Sequence, residues 1–549
     1  MNANDRRFPG TPRSERKGRA ARLAQGRHVP ADAVPALLEA VVECGDRVCV
    51  EGNNQKQADF LARTLAGVDP QRVHDLHLVQ SVVALPEHVA LFERGIASQL
   101  DFSFSGPQAT RLAALVEEGQ IRVNAIHTYL ELFARYFVDL TPNVALIAAE
   151  AADAEGNLYT GPNTEDTPAI VEATAFRGGI VIAQVNEIRD KLPRVDIPAD
   201  WVDYVVEAPT PYYIEPLFTR DPALISEIQV LMAMMAIRGI YARYGVTTLN
   251  HGIGFDTAAI ELLLPTYAAQ LGLKGKICTH WALNPHPALI PAIEAGFVHS
   301  VHSFGSELGM ENYIASRPDV FFTGADGSMR SNRAFCQAAG HYACDLFIGS
   351  TLQIDLAGNS STATRGRIAG FGGAPNMGAD ARGRRHESAA WIKAGEEARQ
   401  GRDEMPRGRK LVVQMVETFR EHMAPAFVER LDAWDLARDM GLSNPPVMIF
   451  GDDLTHIVTE EGIANLLLCR DMGEREQAIR GVAGYTEVGL ARDRDRVAEL
   501  EARGVILRPE SLGISRRQAS RDLLAARSVK DLVRISGGLY EPPSRFRNW

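Results

Sequence analysis

The sequence predicts an α/β protein with two related domains, each a mostly parallel open sheet covered by helices. Two patterns predict this fold class: β-rich runs alternate with helical patterns, and a series of motifs recurs after about 200 residues. The length of 549 residues is a third argument, because it exceeds what one hydrophobic core usually supports. We therefore expect a basic, flexible arm over residues 1–30, a first domain over 31–225 and a second over 226–549.

The β-rich runs are short and are separated by helical patterns, which favours parallel strands joined by crossover helices. They are Arg47–Val50, Asp75–Val79, Ala145–Ala148 and Ile180–Val185 in the first half, and Thr247–Leu249, Lys276–His280, Val320–Thr323 and Asp345–Ile348 in the second. Ligands of open α/β sheets bind beyond the carboxyl ends of the strands. The expected site is therefore a cleft between the two halves.

The repeat consists of three pairs of motifs that occur in the same order in both halves. The pairs are Gly45–Gly52 with Gly245–Gly252, Val82–Pro86 with Trp281–Pro287, and Asp153–Asn157 with Asp355–Asn359. Single strand-turn-helix segments look alike in unrelated folds, but an ordered series at nearly constant spacing indicates duplication.

The composition is that of an ordinary globular protein, with 46% hydrophobic residues, 23% charged residues and a formal net charge of -11. Basic residues concentrate in 1–30, so the remainder is more acidic still, which disfavours a nucleic-acid partner. Neither a secretory signal nor a membrane-spanning run is present, and we expect a cytoplasmic protein without a membrane partner. The six cysteines lack disulfide or metal spacing and are expected to be buried, reduced thiols.

Two further patterns limit the chemistry. Five histidines lie between His251 and His302, but they lack the spacing of metal ligands, so no metal site is expected. Residues 303–307 do not form the nucleophile elbow of a serine hydrolase. The segment Asn376–Lys410 is rich in Gly, Arg and Glu, and we expect it to be a charged excursion from the second domain.

Several of these motifs resemble those of class I coenzyme A transferases. In that family an apolar strand leads into an acidic-x-x-Gly-Asn turn, as in Val144–Leu158, and an Asn-x-Gly-Ile-Gly turn resembles Asn250–Gly254. The stretch Val458–Ala464 is similar to one near the end of related acetyl-CoA hydrolases. The resemblance implies two open-sheet α/β domains of the class I CoA-transferase type.

A closer resemblance is to the alpha subunit of malonate decarboxylase. The segments that carry it are Glu51–Phe60, Tyr159–Pro168, Asn250–Asp256, Ser350–Ser361 and Pro542–Trp549. This resemblance implies a transferase subunit that exchanges malonate for acetate on the thioester of an acyl-carrier subunit, beside separate decarboxylase subunits. It implies no cofactor on this chain, only the phosphopantetheine-type, dephospho-CoA-derived prosthetic group of the carrier.

One departure from the class I pattern bears on mechanism. Class I transferases carry a nucleophilic Glu in a turn after the strand that matches Lys276–His280, but this chain continues Trp281-Ala282-Leu283-Asn284-Pro285. The exchange can run without a protein nucleophile if a malonate carboxylate attacks the acetyl carbonyl to give a mixed anhydride. The carrier thiolate then attacks the malonyl carbonyl and releases acetate.

This route requires donors for the oxyanions and a cation or N–H cluster for the second carboxylate of malonate. We predict Asn250, Gly252, Gly254 and Asn284 as catalytic residues, with backbone N–H groups at the glycines approaching the acyl group. The predicted substrate-binding and thioester-binding residues are Asn53, Asn54, Gln55, His251, Arg330 and Arg333, and Lys56 is a further candidate cation. Tight turns and helix caps are the alternative roles for the same glycines and amides.

Two other functions remain open at this stage. The chain could be a coenzyme A transferase or acyl-CoA hydrolase that forms a glutamyl thioester on Glu51 or Glu307. Alternatively, it could be a non-catalytic scaffold that docks an acidic carrier through the arm over 1–30 and the segment Asn376–Lys410.

Overall fold

The structure is a computed structural model that describes residues 11–52, 56–161, 164, 166–212, 221–302, 307–324, 329, 333–547 and 549. Within these ranges, the side chains of residues 333, 334, 336 and 545 are not described. None of the described helices combines the length and the apolar character that a membrane span requires.

The first sheet is almost entirely parallel and lies in the order β4-β3-β2-β1-β5-β7-β8, with β6 antiparallel to β5. Its strands are β1 Arg47–Val50, β2 Leu76–Val82, β3 Ala97–Phe104, β4 Arg122–Ile126, β5 Val144–Ala152, β6 Leu158–Tyr159, β7 Ile180–Ile188 and β8 Tyr204–Glu207. β1 and β5 are apolar and buried, as expected of central parallel strands with helices on both faces.

The second sheet repeats this order as β11-β10-β9-β12-β17-β18 and then adds the antiparallel strands β19 and β20. Its strands are β9 Thr248–His251, β10 His280–Ala282, β11 Ser300–His302, β12 Leu346–Gly349, β17 Leu411–Met415, β18 His456–Thr459, β19 Gly462–Asn465 and β20 Ile506–Leu507. Two ribbons branch from it: β13 Gln353–Ile354 with β14 Ser360–Ser361, and β15 Ala363–Thr364 with β16 Arg367–Ile368. The matching strand orders agree with the predicted repeat.

Helices cover both sheets. Those of the first domain are α1 Arg13–Ala20, α2 Val34–Val41, α3 Asp59–Ala66, α4 Pro86–Glu93, α5 Ala109–Glu117, α6 Tyr129–Val138 and α7 Thr167–Phe176. Those that follow are α8 Glu227–Ala236, α9 Phe255–Leu263, α10 Ile290–Glu294, α11 Glu311–Ser316, α12 Arg333–Ala343, α13 Ala374–Met377, α14 Ala389–Arg399, α15 Ala433–Met440, α16 Met472–Val482, α17 Glu487–Leu490, α18 Arg494–Ala502 and α19 Val529–Ile535. α8 and α9 continue as π-helical turns over Ile237–Ala242 and Leu264–Ala268.

Two of the predicted strands are wrong in detail. Lys276–His280 is mostly loop, because the strand begins only at His280. Val320–Thr323 is not a strand: Phe321 makes a single parallel bridge to Val301 at the edge of the sheet. Val320 and Phe321 both donate their N–H groups to Arg317 O, so this part of the run closes a turn instead of extending a ladder.

Both charged segments are more ordered than the sequence suggested. Within the basic arm, α1 packs on the first domain, where buried Arg16 donates to Asp46 Oδ1 at 3.0 Å and to Val41 O at 3.0 Å. The excursion at 376–410 contains α14, whose Ala390 and Ala394 enter the core of the second domain. Both segments therefore pack against the protein, the first through an ion pair with a buried carboxylate and the second through apolar contacts. Cys44, expected to be buried, is exposed.

The two domains are joined by backbone hydrogen bonds between the end of β3 and the loop after β16. Ser105 N–H donates to Ala369 O at 2.9 Å, and Ser103 O accepts from the N–H groups of Phe371 and Gly372. Gly370 has a φ of +75°, and a Cβ there would lie 2.4 Å from Ser103 O. A side chain at residue 370 would therefore push the domains apart.

Just before this junction, Asp101 on β3 is held between two histidines. Its carboxylate lies 2.6 Å from His77 Nε2 on β2 and 2.6 Å from His127 Nε2 after β4. Burial lowers the pKa of His127, but its hydrogen bonds to Asp101 and Glu131 outweigh burial and raise that pKa above its ordinary value. The protonated ring therefore stabilises the folded state.

We predict that this contribution to stability is present below pH 6.5, the ordinary pKa of histidine, and is lost as pH rises through the raised pKa of folded His127. His127→Gln keeps a donor for Asp101 without a charge, so it should lower Tm more at pH 6 than at pH 9. Thermal unfolding at both pH values measures the difference. His74→Gln, at an exposed histidine, is the control, and an equal loss at both pH values for His127→Gln would contradict the prediction.

Candidate active site between the domains

A cavity of about 530 Å³ lies where the two domains meet, at the carboxyl ends of β9 and β12. Its lining includes Phe104 and Tyr129 of the first domain, Asn250, Gly252 and Asn284 of the second, and Tyr540 and Phe546 from the segment after α19. Most of the lining is apolar, with a few polar groups, which is the usual character of a small-molecule site.

Four of the predicted site residues meet in this cavity: Asn250, His251, Gly252 and Asn284. Gly254 is the N-cap residue of α9 and does not line the cavity. Asn53, Asn54, Gln55 and Arg330 lie outside the described residues, and Arg333 begins α12 with a side chain that is not described.

Gly252 has a structural task that differs from the predicted one. Its N–H donates to Ile348 O at 2.7 Å, and a Cβ at this position would lie 3.0 Å from the Cα of Gly349. The glycine therefore allows β9 and β12 to approach closely, and its N–H is already used in the sheet. The first N–H groups of α9, which begins at Phe255, have no partner within their own helix, and Ile253, two residues before this helix, lines the cavity.

Asn284 lies in the turn after β10. It lines the cavity, and its buried Oδ1 accepts no hydrogen bond from any described residue. Asn250 differs, because its Nδ2 donates to Ala282 O and so ties the ends of β9 and β10 together. Asn284 is therefore the cavity amide whose Oδ1 is not engaged by a described residue, whereas Asn250 holds the ends of β9 and β10 together.

His251 is linked to the protein through both ring nitrogens. Nδ1 lies 2.8 Å from Glu261 Oε1, and Nε2 lies 2.8 Å from the hydroxyl of Tyr241. The ring also packs edge-on against Trp281, with centroids 4.6 Å apart. With both nitrogens engaged, His251 does not present an N–H to malonate in this conformation.

The first-domain candidates Glu51 and Lys56 form a buried pair. Lys56 Nζ lies 3.3 Å from Glu51 Oε1, and both side chains are almost fully inaccessible. Ala148 N–H donates to Glu51 Oε2 at 2.7 Å, and the hydroxyl of Thr167 bonds the other oxygen. Burial, the largest effect, raises the pKa of Glu51. Neither residue lines the cavity. Glu51 therefore does not fit the role of a nucleophile there, and Lys56 does not fit the role of a cation that binds malonate.

The cavity is also lined by charged residues that were not among the residues predicted for the direct exchange. Arg367 of β16 lines it with a half-exposed side chain, and so do Glu307 and Asp221. Ser350 lines it as well and donates to Asp256 Oδ2 at 2.7 Å. Burial raises the pKa of Asp256 to about 6, and burial followed by the charge of Asp256 raises the pKa of Glu417 to about 7.

Other lining residues were missed because they come from distant parts of the chain. Tyr129 follows a first-domain strand, Gln337 lies in α12, and Tyr540 and Phe546 follow α19. In the sequence, the signal for this wall of the cavity is the resemblance of Ser350–Ser361 and Pro542–Trp549 to a known family. Among the described residues, no group of three or more His, Cys, Asp or Glu is arranged to hold a metal ion.

Comparisons with known proteins agree with this architecture. A structure described as an acyl-CoA transferase of Escherichia coli O157:H7 shares the fold with a TM-score of 0.52 at 16% identity, covering 81% of this chain and 88% of that one. The hetero-tetramer of a Pseudomonas malonate decarboxylase in complex with malonate contains a chain that matches with a TM-score of 0.94 at 62% identity, covering 98% of both chains.

Sequence comparisons point to the same family. A curated relative from Malonomonas rubra, named acetyl-S-ACP:malonate ACP transferase, is 63% identical over 543 residues, which is 98% of each chain. The family model described as "Malonate decarboxylase, alpha subunit, transporter" matches residues 9–549. The chain therefore belongs to the malonate decarboxylase alpha-subunit family.

Proposed function

We propose that the chain is the acyl-carrier transferase of a malonate decarboxylase, converting acetyl-S-carrier and malonate into malonyl-S-carrier and acetate. The observation that carries the proposal is the 63% identity, over nearly the full length of both chains, to a relative named for this reaction. The interdomain cavity supports it, because its size suits a small dicarboxylate together with the end of a thioester arm. The proposed partners are the carrier and the decarboxylase subunits, and a cytoplasmic location remains a prediction from the sequence.

The proposed reaction has two steps through one mixed anhydride. A malonate carboxylate oxygen attacks the acetyl carbonyl, and the carrier thiolate leaves. The thiolate then attacks the malonyl carbonyl, and acetate leaves with the oxygen that bridged the anhydride. No proton is consumed or released overall, so the site needs oxyanion donors and positioning rather than a general acid.

In this scheme the amide of Asn284 contacts the reacting carbonyl, and the N–H groups at the start of α9 add the positive end of a helix dipole. Asn250 and Gly252 hold the two strand ends in register. Arg367 is the described cavity residue that suits the second carboxylate of malonate. Asn53, Asn54, Gln55, Arg330 and Arg333 stay candidates from the sequence. The thiolate belongs to the carrier's phosphopantetheine-type, dephospho-CoA-derived arm.

The glutamyl-thioester alternative now depends on Glu307, which lines the cavity, since Glu51 is buried against Lys56. The scaffold alternative has less support than the sequence suggested. Within the described arm, Arg13 and Lys17 pair with Asp203, Arg16 pairs with Asp46, and these charges are therefore used inside the first domain.

An oxygen-labelling experiment tests the proposal. With acetylated carrier and malonate labelled with ¹⁸O in its carboxylates, the direct route places one ¹⁸O in acetate during the first turnover. A glutamyl route would instead give unlabelled acetate and a labelled enzyme carboxylate. Mass spectrometry of acetate and carrier after a single turnover distinguishes them. We expect Glu307→Gln to retain the exchange. If the wild-type chain produced no malonyl-carrier, the proposed function would be overturned.

Asn284 should contribute mainly to kcat. We expect Asn284→Ala to lower kcat for the exchange by about 10²- to 10³-fold, the usual cost of removing one oxyanion donor. Gln120→Ala, which removes an exposed amide, is the matched control and should change nothing. Steady-state assays with acetylated carrier and malonate measure the effect. If kcat stayed the same and only KM for malonate rose, Asn284 would bind ground-state substrate instead.

A further inference from the structure

Glu261 is a carboxylate in the middle of an otherwise buried helix. From Thr257 to Leu263, every residue of α9 is inaccessible, and the side chain of Glu261 is fully buried. Desolvating a carboxylate is costly unless hydrogen bonds and charges compensate, and an apolar residue is often as good for stability alone. A carboxyl side chain at this buried position therefore suggests a task beyond filling the core.

One oxygen of Glu261 is shared by two histidines. Oε1 lies 2.8 Å from Nδ1 of His251 and 3.2 Å from Nε2 of His286, and both imidazoles are fully buried. Because a carboxylate accepts, Nδ1 of His251 presents its N–H to this oxygen, and Nε2 of His286 lies within ion-pair distance of the same oxygen. The remaining nitrogen of His251 then accepts from the hydroxyl of Tyr241, which lies in the π-helical turn after α8. Such turns occur frequently at functional sites.

The two histidines belong to different segments of the second domain, each next to residues that line the cavity. His251 stands between Asn250 and Gly252 at the end of β9, and His286 follows Asn284 by two residues after β10. Glu261 therefore joins, through a single atom, the two segments that carry the candidate catalytic residues. Without it, the loop containing Asn284 would lose its polar contact through His286 to the end of β9.

We propose that Glu261 is a positioning residue of the acyl exchange, which holds His251 and His286 together and so fixes Asn284 relative to Gly252 across the cavity floor. The inference rests on the proposed function. The role is positional rather than acid–base, because the exchange transfers no net proton. What matters is the acceptor oxygen, and a neutral acceptor at the same place should serve.

The test compares Glu261→Leu, which removes the acceptor, with Glu261→Gln, which keeps one acceptor oxygen in nearly the same shape. We expect Glu261→Leu to lower kcat for the exchange by about 10- to 100-fold, the scale expected from misplacing a reacting group by about 1 Å. KM for malonate should change less than about threefold, and Glu261→Gln should keep kcat within about threefold of wild type. Folded fractions are measured by thermal unfolding.

Two results would overturn the proposal. If Glu261→Leu kept the wild-type kcat, the carboxylate would serve only the fold. If Glu261→Gln lost as much kcat as Glu261→Leu, charge rather than geometry would be the contribution. Both results concern only the role of Glu261, because the wild-type protein would still carry out the exchange. If the wild-type protein did not carry out the exchange, the proposed function itself would be rejected.

A second pair of variants keeps the test decisive if Glu261→Leu does not fold. His286→Gln keeps an N–H near the position of Nε2, and His286→Leu removes it, so the same contrast in kcat is expected. The control is Glu397, a largely buried carboxylate of the same domain that accepts from Arg243 at 2.8 Å and does not line the cavity. Glu397→Gln should leave kcat per folded protein unchanged.

Discussion

The cavity exists because a strand end of the first domain is hydrogen-bonded to a loop of the second. Ser103 and Ser105 at the end of β3 bond the backbone over residues 369–372, and the same loop continues along the cavity wall. Backbone pairing of this kind leaves little freedom for the domains to slide, since each N–H donor must stay within hydrogen-bond distance of its acceptor. The positive φ of Gly370 allows the approach, so the width of the site is set by main-chain contacts rather than by interchangeable side chains.

Much of the architecture could be predicted from the sequence because it depends on local patterns. The alternation of β-rich and helical runs gave the fold class, and the ordered motif pairs gave the duplication that the two strand orders repeat. Asn250, Gly252 and Asn284 do come together, because the carboxyl ends of neighbouring parallel strands share one edge of the sheet. The comparisons confirm the family that the motifs resembled.

The sequence did not show which hydrogen-bond or ion-pair partner each polar group has in the folded protein. Gly252 was predicted to offer its N–H to the acyl group, but β12 takes that N–H. Lys56 was a candidate cation, but it faces Glu51 inside the first domain. The strand Ala97–Phe104 was not predicted, since Gln99, Asp101 and Ser103 interrupt its apolar residues, and the side chains of Gln99 and Asp101 find their partners on other elements. Tertiary pairing, not local propensity, decides all three cases.

The wall formed by Tyr540, Pro543 and Phe546 affects how the protein acquires its site during synthesis. Glu541 N–H donates to Gly309 O, and a Cβ at residue 309 would lie 2.0 Å from Glu541 O, so this wall is fastened to a segment more than 200 residues earlier. Closing such long loops is slow compared with forming local helices. A nascent chain can complete its first sheet soon after Glu207 leaves the ribosome, but the pocket stays open on one side until residue 546 has emerged. Incomplete chains therefore leave the cavity exposed to water on that side.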